Sequence, residues 1–446
     1  MKRVYFHNML RYILPAMGGL LISYLYNIVD GIFVGQGVGA DALGAVNVAV
    51  PYITISMALS SIFPMGASAI IANSRGKGDK RLSNQAFVNG AFLTIVFAIL
   101  ITALGMLFPS FIVDISGGAS LSQSMKDLAS EYLFFYSAFQ LPFLLANALS
   151  IFVRNDDDPN LALFGMIAGA LANILLDYIF VYPLSMGVAG AAIASGLGQI
   201  LSFLILITHF IRKKGELRVR RERLSLSLSL EIAKRGLPEA ASQLSTPISS
   251  LCYNWVLAQY IGDLGVSTWS VLSFVASLCV GLLTGVGQGL QPLFGQAYGK
   301  GDKKEGSFYL KWGIIISLII GSILFLLCLL LPGPISSIFT SDGELIDSSA
   351  KALPYFAISF VPMGASLVMT YYLFSSKKGV SANLLSLSRG VFLKVLFIFL
   401  LPLLLPIEYV WLAYSLAEVV GLLLGLGLLL LDGKGNVEES KPQNGC

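Results

Sequence analysis

The stretch "RGKGDKR" at residues 75–81 returns as "YGKGDKK" at 298–304, half the length of the 446-residue chain further along. A repeat spaced in this way marks a duplicated domain. Two more landmarks keep the same register: Leu14-Pro15 with Leu237-Pro238, and Pro109 with Pro332. Outward from these anchors run apolar segments long enough to cross roughly 30 Å of hydrocarbon as helices. Twelve are predicted, at 11–35, 44–72, 86–108, 128–153, 160–182, 187–211, 230–261, 267–298, 308–331, 348–374, 380–405 and 407–431, six in each half. The GKGDK turns lack the spacing and strand context of a phosphate-binding loop, so they read as tight inter-helix bends, with Gly for the turn and Lys/Arg for charge.

The expected fold is an all-α integral membrane protein, with twelve transmembrane helices in two six-helix pseudo-symmetric lobes. Because six spans return the chain to the same side, the lobes should be related by a pseudo-two-fold axis along the membrane normal, with the substrate between them. The predicted division is an N-terminal lobe at 1–211, a linker at 212–229, a C-terminal lobe at 230–431 and a tail at 432–446. "LSLSLSL" at 224–230 reads either as a short strand or as an amphipathic entry to span seven.

A chain that is 56% hydrophobic and 12% charged, with Leu and Ile runs lacking period-2 alternation, is a helical membrane protein rather than a barrel. The first span belongs to the repeat and is read as retained, not as a signal peptide. With both termini cytoplasmic, 25 of the 29 Lys and Arg residues fall inside and only Lys126 and Lys351 outside. The basic run "RKKGELRVRRER" at 212–223 then answers to topology and anionic lipid, and no nucleic-acid partner is expected. The four cysteines, Cys252, Cys279, Cys328 and Cys446, have neither disulfide nor metal spacing. No cofactor is expected and the chain has no ATP site, so transport is driven by an ion gradient or a separate subunit.

Six ionisable residues fall inside the spans: Asp30, Asp177, Glu239, Arg389, Lys394 and Glu418. Each costs a few kcal/mol on insertion scales and is a functional candidate by default. Asp30 and Asp177 each lie about five residues short of the outer end of their span, so they share a depth. Asn173 stacks one turn from Asp177, Asn27 precedes Asp30 by three residues, and Ser195 reaches a similar depth in span six. Two carboxylates in one weakly hydrated cavity should be neutralised by a proton or small cation, which makes Asp30 the leading coupling residue. The alternative is a structural Asp bonded to backbone, Asn or Tyr, with Tyr26 and Tyr178 available. Glu239, next to Pro238, either serves function or reaches the interface. Glu418 is expected to pair with Arg389 or Lys394, and Lys394 alternatively faces an aqueous cavity. Met17, Met57, Met65, Gln288, Met363 and Met369 are placed on an adaptable substrate lining. His7 and His209 have no metal partner in the sequence.

On these residues the chain resembles the multidrug and toxic compound extrusion (MATE) transporters, in their bacterial, MepA-like branch. The marks are "LYNIVDGIFVGQGVGADALGAVNVAVP" (25–51), "FVRNDDDPNLAL" (152–163), "ANILLDYIFV" (172–181), "GVAGAAIASGLGQ" (187–199) and "GVGQGLQPLFGQAYGKGDKK" (285–304). The resemblance implies two lobes in a V, alternating access, and export of amphipathic, often cationic compounds against H⁺ or Na⁺. It also implies a cation site at Asp30, Asn173, Asp177 and Ser195, with Na⁺, if used, at Asp30, Asn173 and Asp177. Span ten has no acid beyond its start and Glu239 lies closer to its proline than the family's seventh-span Glu, so no cation site is expected in the C-terminal lobe.

The implied protein is a non-enzymatic, monomeric, multi-pass antiporter of the bacterial inner membrane. The competing transporter is a flippase for a lipid-linked or polyprenyl substrate, which would favour a strongly cationic cavity and extra spans. A third class, a membrane enzyme or receptor, has only the acids of "NDDDPN" (155–160) to offer. Three consecutive residues point in different directions and Pro159 opens the next helix, so a turn with N-cap acids is preferred over a Mg²⁺ site.

Overall fold

A computed structural model describes the backbone of residues 2–37, 40–116, 123–220, 222–340, 342–376 and 379–438. Within these, side chains at 2, 3, 27, 28, 30–32, 34–37, 40–44, 47, 241, 242, 246, 258, 263 and 431–438 are not described. The first half of the chain builds α1 (Lys2–Gly37), α2 (Ala40–Gly76), α3 (Lys80–Leu107), α4 (Pro109–Ile115), α5 (Gln123–Ala138), α6 (Gln140–Asn155), α7 (Pro159–Val181) and α8 (Gly187–Ile211). The second half builds α9 (Leu226–Tyr260), α10 (Asp263–Lys300), α11 (Lys303–Leu330), α12 (Pro332–Ser337), α13 (Gly343–Ala357), α14 (Phe360–Ser375) and α15 (Gly379–Leu387). A π-turn (Ser388–Phe392), α16 (Leu393–Leu404), a 3₁₀ turn (Ile407–Leu412) and α17 (Ala413–Glu438) complete it.

The sequence repeat is a repeat of geometry. Gly78 and Gly301 sit at φ 76° and 73°, where a side chain is disfavoured, and turn the chain out of α2 and α10. Asp79 then caps α3 by accepting from Leu82 N at 2.9 Å, and Asp302 caps α11 by accepting from Lys304 N and Glu305 N at 3.0 and 2.9 Å. α3 and α11 begin and end in the register of the repeat, and both present apolar faces outward, through Val96, Leu100 and Leu104 in one and Ile319, Ile323 and Leu327 in the other. Such faces belong against lipid.

Among the described residues, nine helices are long and apolar enough to cross a membrane, and two bent pairs bring the number to eleven. The pairs are α5 with α6, bent by 50°, and α13 with α14, bent by 44°. Pro142 and Pro362 stand in the first turn of α6 and α14, where a missing N–H is tolerated but the preceding helix cannot continue straight. The remaining predicted span, the seventh at 230–261, corresponds to α9. At 35 residues it is long enough to cross, and the side chains at 241, 242, 246 and 258 within it fall outside the described residues. "LSLSLSL" opens this helix, with Ser225 as N-cap accepting from Leu228 N at 3.4 Å, so the strand alternative is corrected to helix.

The two halves meet along α2 and α10. Gln291 Nε2 donates to Ser68 Oγ at 2.7 Å, Ala72 lies against Gly295, and Gly76 lies against Gly299. Each pair joins positions equivalent under the repeat and each is one helical turn from the next, so a local two-fold runs down this seam. A Cβ on Gly76 or Gly299 would stand 2.8 Å from the other's Cα, which is why the closest approach carries glycine. The seam lies at the end of the bundle that holds both GKGDK turns.

Candidate functional site

α7 places Asn173 and Asp177 one turn apart on one face, and α8 crosses it closely at Gly169 and Gly198, bringing Ser195 within reach. Asn173 Nδ2 donates to Asp177 Oδ2 at 2.9 Å and to Ser195 Oγ at 3.2 Å. All three are buried, Asp177 with 0% exposure. Among the described residues, Asn173 Oδ1 accepts no hydrogen bond. The cluster therefore offers carboxylate, amide and hydroxyl oxygens, the donor types that hard cations take. Among the described residues no three His, Cys, Asp or Glu side chains converge as a metal centre.

Asp30 and Asn27 lie on α1, but their side chains fall outside the described residues. Tyr26 is half-buried on the same helix. Tyr178 is a correction: it is 55% exposed and packs on Tyr182 with ring centroids 5.7 Å apart. One residue beyond Asp177, it points about 100° around the helix and away from the cluster.

A second polar cluster lies where the halves meet. Glu239 of α9 is buried rather than at the interface. It accepts from Tyr371 Oη at 2.8 Å, Gln243 Nε2 at 3.2 Å and Gln288 Nε2 at 3.4 Å. Arg154, at the end of α6, donates to the other face of Gln288 at 3.3 Å. Arg154 and Gln288 also line a cavity of about 20 Å³ with Pro15, Leu20, Ser150 and Met166, room for one water. Arg154, Gln243 and Tyr371 escaped the sequence reading. Arg154 stands in a motif quoted there, whereas nothing in the sequence points to the other two.

A third cluster is enclosed by α9, the π-turn, α16 and α17. Arg389 Nη1 donates to both Glu418 oxygens at 3.1 and 2.9 Å. Lys394 Nζ stands 3.4 Å from Glu418 Oε1, donates to Ser245 Oγ at 3.2 Å, and lies 4.0 Å over the Tyr414 ring. Glu418 thus pairs with both bases, not one, and Lys394 is engaged with the helix bundle instead of lining a cavity. The methionines also depart from expectation. Met65, Met363 and Met369 are core residues at 3%, 2% and 0% exposure, and Met17 is pressed against Gly285 where α1 crosses α10. Met57 is half-buried. Of the expected lining, Gln288 is the residue that borders the cavity.

The three acids of "NDDDPN" diverge. Asp156 accepts from the amides of Glu216 and Leu217 at 2.8 and 3.2 Å and from His209 Nε2 at 3.0 Å. Asp157, at φ 68°, accepts from Tyr12 Oη at 2.6 Å and pairs with Arg75. Asp158 caps α7 by accepting from Leu161 N at 3.3 Å, directly before Pro159. They form a structural turn.

The family model for MatE matches the chain twice, over residues 15–179 and 238–400, and the two matches start at the repeat-related prolines. The chain belongs to the MatE family. This MatE protein is a multi-pass membrane transporter. Similar proteins include the multidrug export protein MepA of Staphylococcus haemolyticus, 23% identical over 88% of this chain and 86% of the relative. MepA of a bovine Staphylococcus aureus strain is 24% identical over 89% and 88%. The fold matches a MATE crystal structure in complex with MaL6, with TM-score 0.90, 22% identity and 96% of each chain covered. It also matches a MOP superfamily transporter from Pyrococcus furiosus, with TM-score 0.88, 23% identity and 95% of each chain covered.

Proposed function

We propose that this MatE protein is a secondary active antiporter that exports amphipathic, often cationic, compounds across the bacterial cytoplasmic membrane in exchange for H⁺ or Na⁺. The observation that carries the reading is the buried cluster of Asn173, Asp177 and Ser195. A carboxylate at membrane depth is costly unless neutralised, and a bound cation supplies that neutralisation. By its position in the sequence Asp30 of α1 lies at the same depth, and on this reading it is the second carboxylate. Cation binding neutralises this pair from one side of the membrane, and release to the other completes a cycle only if substrate travels the opposite way.

The Lys and Arg bias supports placing both termini, and both GKGDK turns, in the cytoplasm. The seam at 68/291, 72/295 and 76/299 then closes the cytoplasmic end, and transport requires it to part so that substrate enters between the halves. A drug-like substrate class agrees with relatives named for multidrug export. Gln288 and Glu239 place polar groups where a cationic head would arrive, and Met57 contributes adaptable lining. The transporting unit is the monomer.

Efflux of a fluorescent cationic dye from proteoliposomes, under an imposed pH gradient and then an imposed Na⁺ gradient, tests this. One gradient should drive export in the wild type and fail in Asp30→Asn. If neither drives export from folded protein for any of several cationic dyes, the antiporter reading fails.

A further inference from the structure

The connector between the halves is bound along its length. Asp156 takes the amides of Glu216 and Leu217, and Gly215 passes so close over its carboxylate that a Cβ would overlap Oδ2. On α3, Asn84 Oδ1 accepts from Arg218 N at 2.7 Å while its Nδ2 donates to Glu222 at 3.1 Å. Arg220 donates to the same Glu222 oxygen at 2.7 Å, and these bonds hold its carboxyl below the usual range. Five residues along α3, Asn89 Oδ1 accepts from Ser225 N at 3.0 Å and Nδ2 donates to Arg223 O at 3.3 Å. Asn84, Asn89 and Asp156 are 3%, 0% and 2% exposed, and apart from the bond of Asn89 Nδ2 to Gln85 O at 2.8 Å and the contacts of Asp156 with His209 and Arg75, the partners of these buried groups come from this one segment. Leu217 completes the attachment, buried among Phe87, Phe152, Leu206 and Phe210.

The attachment continues into α9. Ile232 belongs to that same apolar cluster, the Ile232 carbonyl lies against Gly66 of α2, and Gly236 lies against the Ile62 carbonyl. From Pro238 the partners change: its carbonyl accepts from Ser386 at 2.7 Å, Ser245 donates to Gly390 O, and Tyr253 donates to Val410 O at 3.2 Å. α11 matches α3 in both bounds, but has Ser307 and Trp312 where the register of the repeat places Asn84 and Asn89. The amides appear only in the half that has a connector to hold.

We propose that Asn84, Asn89 and Asp156 are positioning residues that strap the connector to the N-terminal half, so that the connector and the first turns of α9 move with that half and the changeover lies at Gly236–Pro238. A passive tether at 212–229 would place it elsewhere. A flexible loop tolerates lengthening, because doubling its length costs only about 0.6 kcal/mol.

Hydrogen exchange on the full-length protein in nanodiscs tests the strap without any assumption about substrate or coupling ion. Amides of Glu216, Leu217, Arg218 and Ser225 should exchange as slowly as helix amides, and exchange at open-loop rates would overturn the proposal. The kinetic arm rests on the exporter reading. Inserting Gly-Ser-Gly-Ser between Val219 and Arg220 should lower export turnover about tenfold, the equivalent of one or two lost hydrogen bonds, with KM unchanged. Asn84→Ala should reproduce the split. Slow exchange together with unchanged turnover in both folded variants would leave the segment bound but refute its positioning role. If the wild type exports nothing, the exchange result still decides the strap.

Discussion

The clusters on α7/α8 and on α16/α17 occupy corresponding places in the two halves, and they hold charge in opposite ways. Glu418 is the repeat equivalent of Ser195, and the ends of α7 and α16 keep the same register. In the first half a buried carboxylate is bonded by a neutral amide beside a hydroxyl. In the second, Glu418 is gripped by a guanidinium and an ammonium carried on the chain itself. On the proposed reading the first arrangement offers oxygens to a mobile cation, whereas the second carries its own cations. The two halves share a scaffold, and under the proposed antiport the few residues that differ between these clusters are what would let the first half take an ion.

Removing the carboxylate of the self-neutralised cluster should have the largest effect on folding. Glu418→Ala leaves Arg389 and Lys394 buried without their anion and should cost about 3–5 kcal/mol, read as a large drop in the thermal midpoint in detergent. A midpoint within a degree or two of wild type would break the contrast, because it would mean the bases find water. Asp177→Asn keeps an acceptor for Asn173 and should cost about 1 kcal/mol or less in stability. Gradient-driven dye export should nevertheless fall to the level of empty vesicles. The smallest effect is expected of Lys394→Met, which leaves the Arg389–Glu418 pair in place: within about 1 kcal/mol of wild type, with coupled export retained. Loss of coupling in that variant, in folded protein, would move the ion site into the second half.

The frame was legible because it rests on local chemistry. Gly78 and Gly301 had to turn, and the proline pairs kept one register. Asn173, Asp177 and Ser195 were also legible, since helical stacking and span depth bring them to one level. Of the two readings left open for Glu239, function or the interface, burial rules out the second, which had rested on its place next to Pro238 near the end of the span. α9 starts at Leu226, which puts Glu239 about 20 Å along it. Its partner Tyr371 lies 132 residues away, a contact no local pattern encodes. The methionines failed for a related reason: in helices apolar on nearly every face, the sequence does not say which face meets lipid, core or cavity.

The central claim is that substrate and coupling ion compete through the cluster on α7 and α8. Adding a transported cationic compound to purified protein and recording released H⁺ with a pH indicator, or released Na⁺ with an ion-selective electrode, measures that competition directly. Release of one ion from wild type and from Lys394→Met, but not from Asp177→Asn, is the predicted result. Undiminished release from a folded Asp177→Asn protein would contradict it.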